Sequence, residues 1–357
     1  MTELLIRAAW ERKGLNGKLL WLLLLPASLL YTAVVELRNF CFSHRLLRSV
    51  RLPRPVVSVG NLTVGGTGKT PTCLWLAREL SQRGLTVGIL SRGYRRAEKN
   101  PVVLRPNDAN PPSVDKSGDE PFMMARIYGL TVGVGADRAA SAAALLRSQD
   151  DIDVFVLDDG FQHRRVRRDV DLLLLGQQAS GSVLPAGPFR EPKGNLRRAD
   201  FLLATGGDGL WNSAIPNELA GASFSAALRG VCLIGFSREG AREFPLTLLY
   251  RSKILTVTGI ADPRGLYRLI HEWEGEIVET LEFPDHHTYG ARDWQQISRM
   301  ARLVDLIITT EKDILKLAPF PFAKDKLLAL RVALEVENGD ALVDGIVEKI
   351  HAARGAG

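Results

Sequence analysis

Short apolar runs alternate with amphipathic stretches along most of the chain, which is the pattern of a parallel α/β sheet. The apolar runs are predicted strands, and the amphipathic stretches between them are predicted helices. The predicted strands are residues 55–59, 86–90, 131–134, 152–157, 171–175, 253–258, 277–283 and 306–310. The predicted helices are residues 72–82, 120–128, 139–147, 265–273 and 291–303. This order predicts an α/β fold with a doubly wound sheet of the phosphate-loop type.

A polar, glycine-bearing stretch at residues 206–218 interrupts this alternation, and residues 228–248 read as strands and turns. We therefore expect a larger domain over residues 51–220 and a smaller C-terminal α/β domain over residues 221–357. The chain has 357 residues, of which 46% are hydrophobic, so each domain can bury a core.

The N-terminus carries a continuous apolar run instead of a periodic one. Residues 19–35 contain no charge, and the run is slightly shorter than the about 20 residues that a membrane-spanning helix needs. Basic residues lie on both sides of it, so their distribution gives no orientation. Residues 1–50 are predicted to be a membrane-anchoring helical segment, and spanning and interfacial insertion both stay open. A cleaved signal peptide is disfavoured because no small-residue cleavage site follows Val35. A buried helix of the first domain is the remaining alternative.

A glycine-rich loop, residues 60–71 (GNLTVGGTGKTP), joins the first predicted strand to the first predicted helix. Glycines let backbone amides approach a polyphosphate, Lys69 can reach its outer phosphates, and the hydroxyl of Thr70 can hold Mg²⁺. The predicted nucleotide-binding residues are Thr63, Val64, Gly65, Gly66, Thr67, Gly68, Lys69 and Thr70. The usual motif begins with glycine where this chain has Thr63, but the order of strand, glycines and helix is kept. The loop predicts binding of ATP or GTP.

Polar residues follow several other predicted strands, where open parallel sheets bind their ligands. Asp158 and Asp159 come after the strand 152–157, at the position of the second acid that handles Mg²⁺ in phosphate-loop enzymes. One of them is expected to hold the metal directly or through water. The alternative is a solvated turn before Gly160.

Arg92, Arg95 and Arg96 follow the strand that ends at residue 90. They can clamp anionic oxygens, or they can be ordinary surface charge. Asp119 lies on a loop that opens a predicted helix, where an aspartate serves either as a helix cap or as a base. These residues alone do not decide between the alternatives.

Residues 283–289 place His286 and His287 directly after a predicted strand. Neighbouring histidines point apart, which favours acid/base or orienting work over a zinc site. Residues 310–313 (TEKD) resemble a guanine-reading pattern, but a glutamate interrupts it, and residues 158–160 fail the switch spacing of GTPases. A GTPase is thereby disfavoured.

The net charge of +6 and the isoelectric point near 9.3 suit an anionic partner such as phospholipid, nucleic acid or a phosphorylated substrate. Cys41, Cys73 and Cys232 are odd in number and widely spaced, which excludes a disulfide framework or a cysteine metal site and fits a reducing compartment.

Taken together, the motifs resemble those of the tetraacyldisaccharide 4′-kinase family, the lipid A 4′-kinases of Gram-negative bacteria. The resemblance covers nearly the whole chain, including the apolar N-terminus. Its motifs are residues 60–71, 91–94 (SRGY), 118–121 (GDEP), 158–163 (DDGFQH), 184–192 (LPAGPFREP), 283–287 (FPDHH) and 310–313. Phe189 stands where an aliphatic or Met residue is expected, which changes only the size of the side chain.

The resemblance implies ATP-dependent transfer of the γ-phosphate to the 4′-hydroxyl of a tetraacyl glucosamine disaccharide 1-phosphate, which forms lipid IVA in lipid A biosynthesis. It also implies Mg²⁺ and the cytoplasmic face of the inner membrane. The expected partners are this membrane-embedded lipid and an anionic bilayer surface. Nucleic acid is not expected, and no obligatory protein partner is inferred. The rival classes are a regulatory nucleotide hydrolase and a membrane-recruited module whose nucleotide acts as a switch.

Under this resemblance Asp119 is the expected base, and His286 of the second domain pairs with it, with His287 as the fallback. Lys69 and Mg²⁺ neutralise the transferred group. The expected metal ligands are Thr70, Asp158 and Asp159. The expected substrate-binding residues are Arg92, Arg138 and Arg190. Because the base and its partner lie in different domains, we expect a hinge that closes over ATP and substrate.

Overall fold

The computed structural model describes residues 6, 8–94, 96–205, 210–237, 240–320 and 326–355. Arg95 and part of the stretch 206–218 lie outside these residues. The strands are β1 (Val56–Asn61), β2 (Val87–Ser91), β3 (Val102–Leu104), β4 (Thr131–Val134), β5 (Val154–Asp158), β6 (Val170–Leu175), β7 (Phe201–Ala204), β8 (Ser223–Ser237), β9 (Gly240–Phe244), β10 (Lys253–Thr258), β11 (Glu276–Glu282), β12 (Leu306–Thr310) and β13 (Leu327–Val336). The helices are α1 (Gly14–Ser43), α2 (Lys69–Gln82), α3 (Val114–Ser117), α4 (Asp119–Arg126), α5 (Arg138–Ser148), α6 (Arg264–Glu272), α7 (Ala291–Met300), α8 (Glu311–Leu317) and α9 (Gly339–Gly355). Short 3₁₀ segments are Lys193–Arg198, Asn217–Ala222, Leu246–Leu249 and Ala301–Leu303.

A single sheet runs through the described chain in the order β11-β10-β12-β13-β8-β7-β6-β1-β5-β2-β4-β3, with β9 paired to β8. Strands β1, β2, β4, β5, β6 and β7 are parallel. Parallel strands have been added on both edges of the central strand β1, with β5 on one edge and β6 on the other. This order confirms the predicted doubly wound α/β fold. We call β1 to β7 with α2 to α5 the first lobe, and β10 to β12 with α6 to α8 the second lobe.

Helices cover both faces of the first lobe, which explains the continuous apolar runs of its strands. All six residues of β1 are buried. On one face, Leu76 and Leu80 of α2 pack in the same cluster as Ile346 and Ile350 of α9. On the other face, Leu145 of α5 packs with residues of β2 and β5. The C-terminal helix therefore returns to the core of the first lobe, and the domain bounds drawn from the sequence stay a prediction.

Strands β8 and β13 form a long antiparallel ribbon that joins the two lobes. The beginning of β8 pairs with β7, where Leu202 lies opposite Ser223. The beginning of β13 pairs with β12, where Leu327 lies opposite Ile307. Since β8 and β13 run in opposite directions, the parallel strands of the two lobes point their carboxyl ends toward each other along this ribbon. Residues that follow strands in one lobe can therefore face residues that follow strands in the other.

The N-terminal apolar run lies inside α1, a single helix of 30 residues. Within the described chain it is the helix that is long and apolar enough to cross a membrane, by length and composition. Only 11% of its most apolar window is buried inside the protein, so α1 lies on the surface and the alternative of a buried core helix is not supported.

Candidate active site

The phosphate loop, residues 60–71, connects β1 to α2 and has the open form that phosphate binding needs. Gly65 and Gly68 have positive φ angles of 112° and 80°, which favour glycine because it has no Cβ. Gly65 and Gly66 are exposed, and a Cβ at either would meet no atom within 4 Å. Their backbone therefore borders open space at the start of α2, where amides and the helix dipole attract anions.

Lys69, the first residue of α2, points back toward β1 and β5. Its Nζ donates to Asn61 Oδ1 at 3.3 Å and lies 3.7 Å from Asp159 Oδ1. The hydroxyl of Thr67 is buried and has no hydrogen-bond partner among the described residues. The Lys69 ammonium and the Thr67 hydroxyl can each donate a further hydrogen bond, which a phosphate oxygen would accept.

Asp158 and Asp159 follow each other at the end of β5 but have different environments. Asp158 is buried and accepts a hydrogen bond from Ser91 Oγ at 3.0 Å. Burial raises its pKa, and the charge of Asp159 raises it further. Burial also acts to raise the pKa of Asp159, but Lys69 and Arg190 outweigh that effect and hold it below its ordinary value. Asp159 therefore stays charged at neutral pH.

The three predicted substrate arginines occupy distinct places. Arg190 Nη1 donates to both carboxylate oxygens of Asp159, at 2.9 and 3.0 Å, so it lies beside the predicted metal ligands. Arg138 is 3% exposed, its Nη1 donates to the carbonyl of Gly135, and its Nε has no partner among the described residues. Burial lowers the pKa of Arg138 to about 10. Arg92 is exposed after β2 and can contact a ligand from solvent.

The loop 182–192, which we call the buttress loop, holds the phosphate loop from behind. Val64 N donates to Pro188 O at 2.8 Å, and Arg190 N donates to Leu62 O at 2.7 Å. Phe189, the residue of unexpected size, is 1% exposed and packs with Leu62. The same loop thus fixes the phosphate loop and presents the Arg190 side chain to Asp159.

Asp119 and His286 meet across the gap between the lobes. Asp119 is the first residue of α4, and its Oδ2 lies 3.3 Å from His286 Nδ1. His287 instead contacts Asp293 Oδ2 at 2.9 Å. The structure therefore brings His286, and not the fallback His287, to Asp119. This pairing follows from the ribbon, which turns the end of β11 toward the first lobe.

Lys316 is a third member of this cluster that the sequence did not indicate. Its Nζ lies 3.0 Å from Asp119 Oδ2 and 3.2 Å from Asp313 Oδ1, and it donates to His287 O at 2.9 Å. Burial alone would raise the pKa of Asp119, but the hydrogen bond of His286 and the charge of Lys316 lower it to about 2. Asp119 is therefore a carboxylate throughout the physiological pH range.

Helix α8 organises the second-lobe side of the site. Thr310 caps the helix by accepting from Asp313 N, and Asp313 Oδ2 accepts from Gly259 N at 2.9 Å. Lys312 reaches Asp285 at 2.7 Å, next to His286. The TEKD motif thus builds the start of α8 and ties it to neighbouring loops. The sequence feature that could have indicated a role for Lys316 is its position one helical turn after this motif.

Comparison with known proteins identifies the family to which this arrangement belongs. A family model described as Tetraacyldisaccharide-1-P 4′-kinase matches residues 20–351. The chain belongs to this family.

Curated relatives cover nearly the same length. A protein named tetraacyldisaccharide 4′-kinase from Syntrophus aciditrophicus is 39% identical over 337 residues, which is 88% of this chain and 89% of that protein. One of the same name from Pelobacter propionicus is 38% identical over 347 residues, or 95% of each chain. The crystal structure of LpxK from Aquifex aeolicus in complex with ATP is 30% identical, has a TM-score of 0.76, and covers 93% of this chain and 99% of its own.

These findings confirm the predicted family, fold, enzyme class and activity. The family and the names of these relatives indicate the lipid A 4′-kinase activity in lipid A biosynthesis. The relative with bound ATP supports ATP as the nucleotide. The roles of individual residues and the metal stay predictions, and among the described residues no group of three or more His, Cys, Asp or Glu forms a metal site. That is compatible with Mg²⁺ in kinases, which binds one or two carboxylates together with phosphates and water.

Proposed function

We propose that Asp119 accepts the proton of the 4′-hydroxyl while ATP held by the phosphate loop donates its γ-phosphate. The observation that carries this assignment is the contact of Asp119 with both His286 and Lys316 at the C-terminal edges of the two lobes. Both contacts are made to Oδ2, and no hydrogen bond to Oδ1 occurs among the described residues. Oδ1 is thus the oxygen assigned to the acceptor hydroxyl.

A low pKa is compatible with this role because phosphoryl transfer passes through a loose transition state. The attacking hydroxyl becomes acidic only as its bond to phosphorus forms, so the proton leaves late. The carboxylate mainly positions the hydroxyl and takes up its proton at that stage. His286 holds the carboxylate in place from the second lobe.

The residues present fit a magnesium ion. Thr70 lies at the start of α2, and Asp158 and Asp159 lie at the end of the neighbouring strand β5, which provides a hydroxyl and two carboxylates, all hard oxygen ligands. When bound, Mg²⁺ neutralises charge on the phosphates. Lys69 is assigned the same task at the transferred group, with Arg190 steadying Asp159. Arg92 and Arg138 are assigned to phosphate oxygens of the lipid or of the nucleotide.

We place the enzyme on the cytoplasmic face of the inner membrane. The acyl chains of the substrate leave a bilayer only at high cost, so the kinase has to work at the membrane surface. The apolar helix α1 and the basic net charge of +6 support this location. Since Asp119 and His286 come from different lobes, closure of the lobes around the ribbon is part of the proposed cycle.

The decisive experiment incubates the purified full-length protein with labelled ATP, detergent and the tetraacyldisaccharide 1-phosphate. We expect label at the 4′ position, and Asp119→Ala should lower turnover by about two orders of magnitude or more while ATP binding persists. Turnover of ATP and GTP at equal rates without a lipid acceptor would instead favour a regulatory hydrolase. Unchanged function of Asp119→Ala would favour a nucleotide-controlled binding module.

A further inference from the structure

Glu311 is the first residue of α8, and it lies where the two lobes and the ribbon meet. Its Oε2 accepts from Tyr128 Oη at 2.7 Å, and its Oε1 accepts from Arg331 Nε at 3.1 Å. Tyr128 belongs to the first lobe, two residues after the end of α4, and Arg331 belongs to β13 of the ribbon. The Glu311 side chain is 7% exposed, so both bonds are shielded from water. One buried carboxylate therefore joins the first lobe, the second lobe and the ribbon.

The ribbon is irregular at the point where Glu311 contacts it. The pairing of β8 with β13 shifts register between Arg331 and Val332, because β8 holds an extra residue, Val231. This β-bulge is adjacent to Glu311, whose Oε2 lies 3.5 Å from Val332 N. A bulge bends its strand and interrupts the ladder of hydrogen bonds. The ribbon can therefore change its angle at this place, and Glu311 is bonded beside it.

Helix α8 also holds the segment that carries His286, and it does so on both sides of that residue. Lys312 Nζ lies 2.7 Å from Asp285 Oδ1. Lys316 Nζ donates to His287 O at 2.9 Å. His286 itself has a φ angle of 62°, a left-handed conformation that a residue with a Cβ keeps only where its surroundings hold it. The position of α8 therefore sets the position of His286.

Helices α4 and α8 contact each other across the gap between the lobes at both of their ends. Asp119, at the start of α4, lies 3.0 Å from Lys316 near the end of α8. Tyr128, beyond the end of α4, lies 2.7 Å from Glu311 at the start of α8. Glu311 and Lys316 are five residues apart, or about 7.5 Å along the helix, so a tilt of about 10° at Glu311 moves the backbone of Lys316 by about 1.3 Å. The contact at Glu311 thus controls the contact at Asp119.

We propose that Glu311 is a positioning residue for the transfer reaction. By bonding the start of α8 to Tyr128 and to the ribbon beside its bulge, it fixes the angle of α8. That angle holds Lys316 and His286 against Asp119. The phosphate loop is built on β1 and α2 of the first lobe, so nucleotide binding should not depend on Glu311. This inference rests on the proposed roles of Asp119 and His286 and adds the residue that keeps them in register.

Two substitutions of glutamate by glutamine in the full-length protein test this role. Glutamine has one acceptor oxygen, so Glu311→Gln cannot accept from Tyr128 and Arg331 together. It should lower kcat for phosphorylation of the detergent-solubilised lipid by about tenfold or more, because a displacement of about 1 Å is enough to misplace the reacting groups. The dissociation constant of ATP should stay within about twofold of its original value.

Glu335→Gln is the matched control on the same ribbon. Glu335 also pairs with an arginine, since its Oε2 lies 3.1 Å from Arg229 Nε, but the two side chains are 70% and 61% exposed. A surface pair of this kind contributes little, so this variant should keep the turnover of the unaltered protein. Equal kcat values for Glu311→Gln and Glu335→Gln would overturn the positioning role.

A double-mutant cycle separates positioning from general stabilisation of the fold. If Glu311 acts through the contact of α8 with Asp119, then Glu311→Gln should lower kcat by less than about threefold when Lys316→Met is already present. The contact that Glu311 positions is then already lost. A loss of activity that only reflects lower stability would recur in full in this background. A further tenfold loss there would therefore overturn the positioning role.

Tyr128→Phe decides the question if Glu311→Gln unfolds at the assay temperature. It removes the bond to the first lobe and keeps the pair of Glu311 with Arg331, so kcat should fall by about threefold to tenfold with ATP binding unchanged. An unaltered kcat in the folded variant would overturn the positioning role. Retained turnover of Asp119→Ala would overturn the assigned chemistry itself, whereas retained turnover of Glu311→Gln alone would overturn only the role of Glu311.

Discussion

Replacing Lys316 by Met removes the positive charge beside Asp119, together with the contacts of Lys316 to Asp313 and to the carbonyl of His287. Lys316 Nζ contacts Asp119 Oδ2 at 3.0 Å, and the exposed fractions of the two side chains are 11% and 13%. Because both groups are largely shielded from water, the ion pair is screened less than a surface pair. Methionine keeps the length and apolar character of the side chain but removes the charge.

The expected loss of stability in Lys316→Met follows from the pKa of Asp119. Burial raises it, whereas His286 and Lys316 together lower it from its ordinary value of 3.8 to about 2. At about 1.4 kcal/mol per pKa unit, this shift corresponds to about 2.5 kcal/mol of folding free energy. A lowered pKa stabilises the folded state above pH 3.8, and the contribution is lost as the pH falls toward 2. Removal of Lys316 should therefore cost about 1 to 2.5 kcal/mol, nearly constant between pH 5 and 8.

Lys312 provides the matched control on the same helix. Its side chain is also 11% exposed, but it pairs with Asp285, which is 40% exposed, so Lys312→Met should cost at most about 1 kcal/mol. Urea unfolding in detergent at pH 5, 6, 7 and 8 compares the two variants. In kinase assays, Lys316→Met should raise the pH at which kcat/KM begins to fall on the acid side, since Asp119 becomes easier to protonate. Equal stability of the two variants, or an unshifted acid limb, would refute this account.

Three further changes test other parts of the structure by thermal or urea unfolding. Glu191→Gln removes the negative charge that pairs with Arg198, whose Nη2 lies 2.6 Å from Glu191 Oε2. This substitution should lower the free energy of unfolding by about 3 kcal/mol, and an unchanged unfolding midpoint would contradict this. Gly160→Ala should lower the free energy of unfolding by about 1 to 3 kcal/mol, because a Cβ at this position would lie 2.7 Å from Ser58 Oγ. Unchanged stability would show that the turn can adjust without cost. Tyr128→Phe removes the 2.7 Å hydrogen bond to the buried Glu311 between the lobes and should cost about 1 to 2 kcal/mol, whereas no loss would mean that another group satisfies Glu311.

The elements that the sequence predicted are those with a strong local signal. Strands such as Thr131–Val134 and Lys253–Thr258 have the predicted ends, because a buried parallel strand is a compact apolar run between polar turns. Helix α2 begins at Lys69, three residues before the predicted start, since the phosphate loop continues directly into its first turn. The strands β3, β7 and β13 were not predicted.

Contacts between distant parts of the chain were beyond the reach of local patterns. The pairing of Asp119 with His286 came from the family resemblance, and its physical cause is the antiparallel ribbon that turns the lobes toward each other. Lys316 was missed because α8 was not predicted, so its spacing from Asp313 had no helical meaning. The contact of α1 with the buttress loop was also beyond a sequence pattern, since Ser28 is a minor interruption in an apolar run until its hydrogen bond to Val183 O is known.

The buttress loop links the apolar helix α1 to the nucleotide site through a few direct contacts. Ser182 accepts from Trp21 of α1, Pro188 accepts from Val64 of the phosphate loop, and Arg190 pairs with Asp159. A single short segment therefore fixes the distance between the phosphate loop and the exposed apolar residues of α1. Under the proposed location at the membrane, an acceptor hydroxyl on the lipid can rise only a limited height above the acyl-chain boundary, so this distance has to match the reach of the sugar. Under that proposal, bonding both elements to one loop keeps the distance fixed.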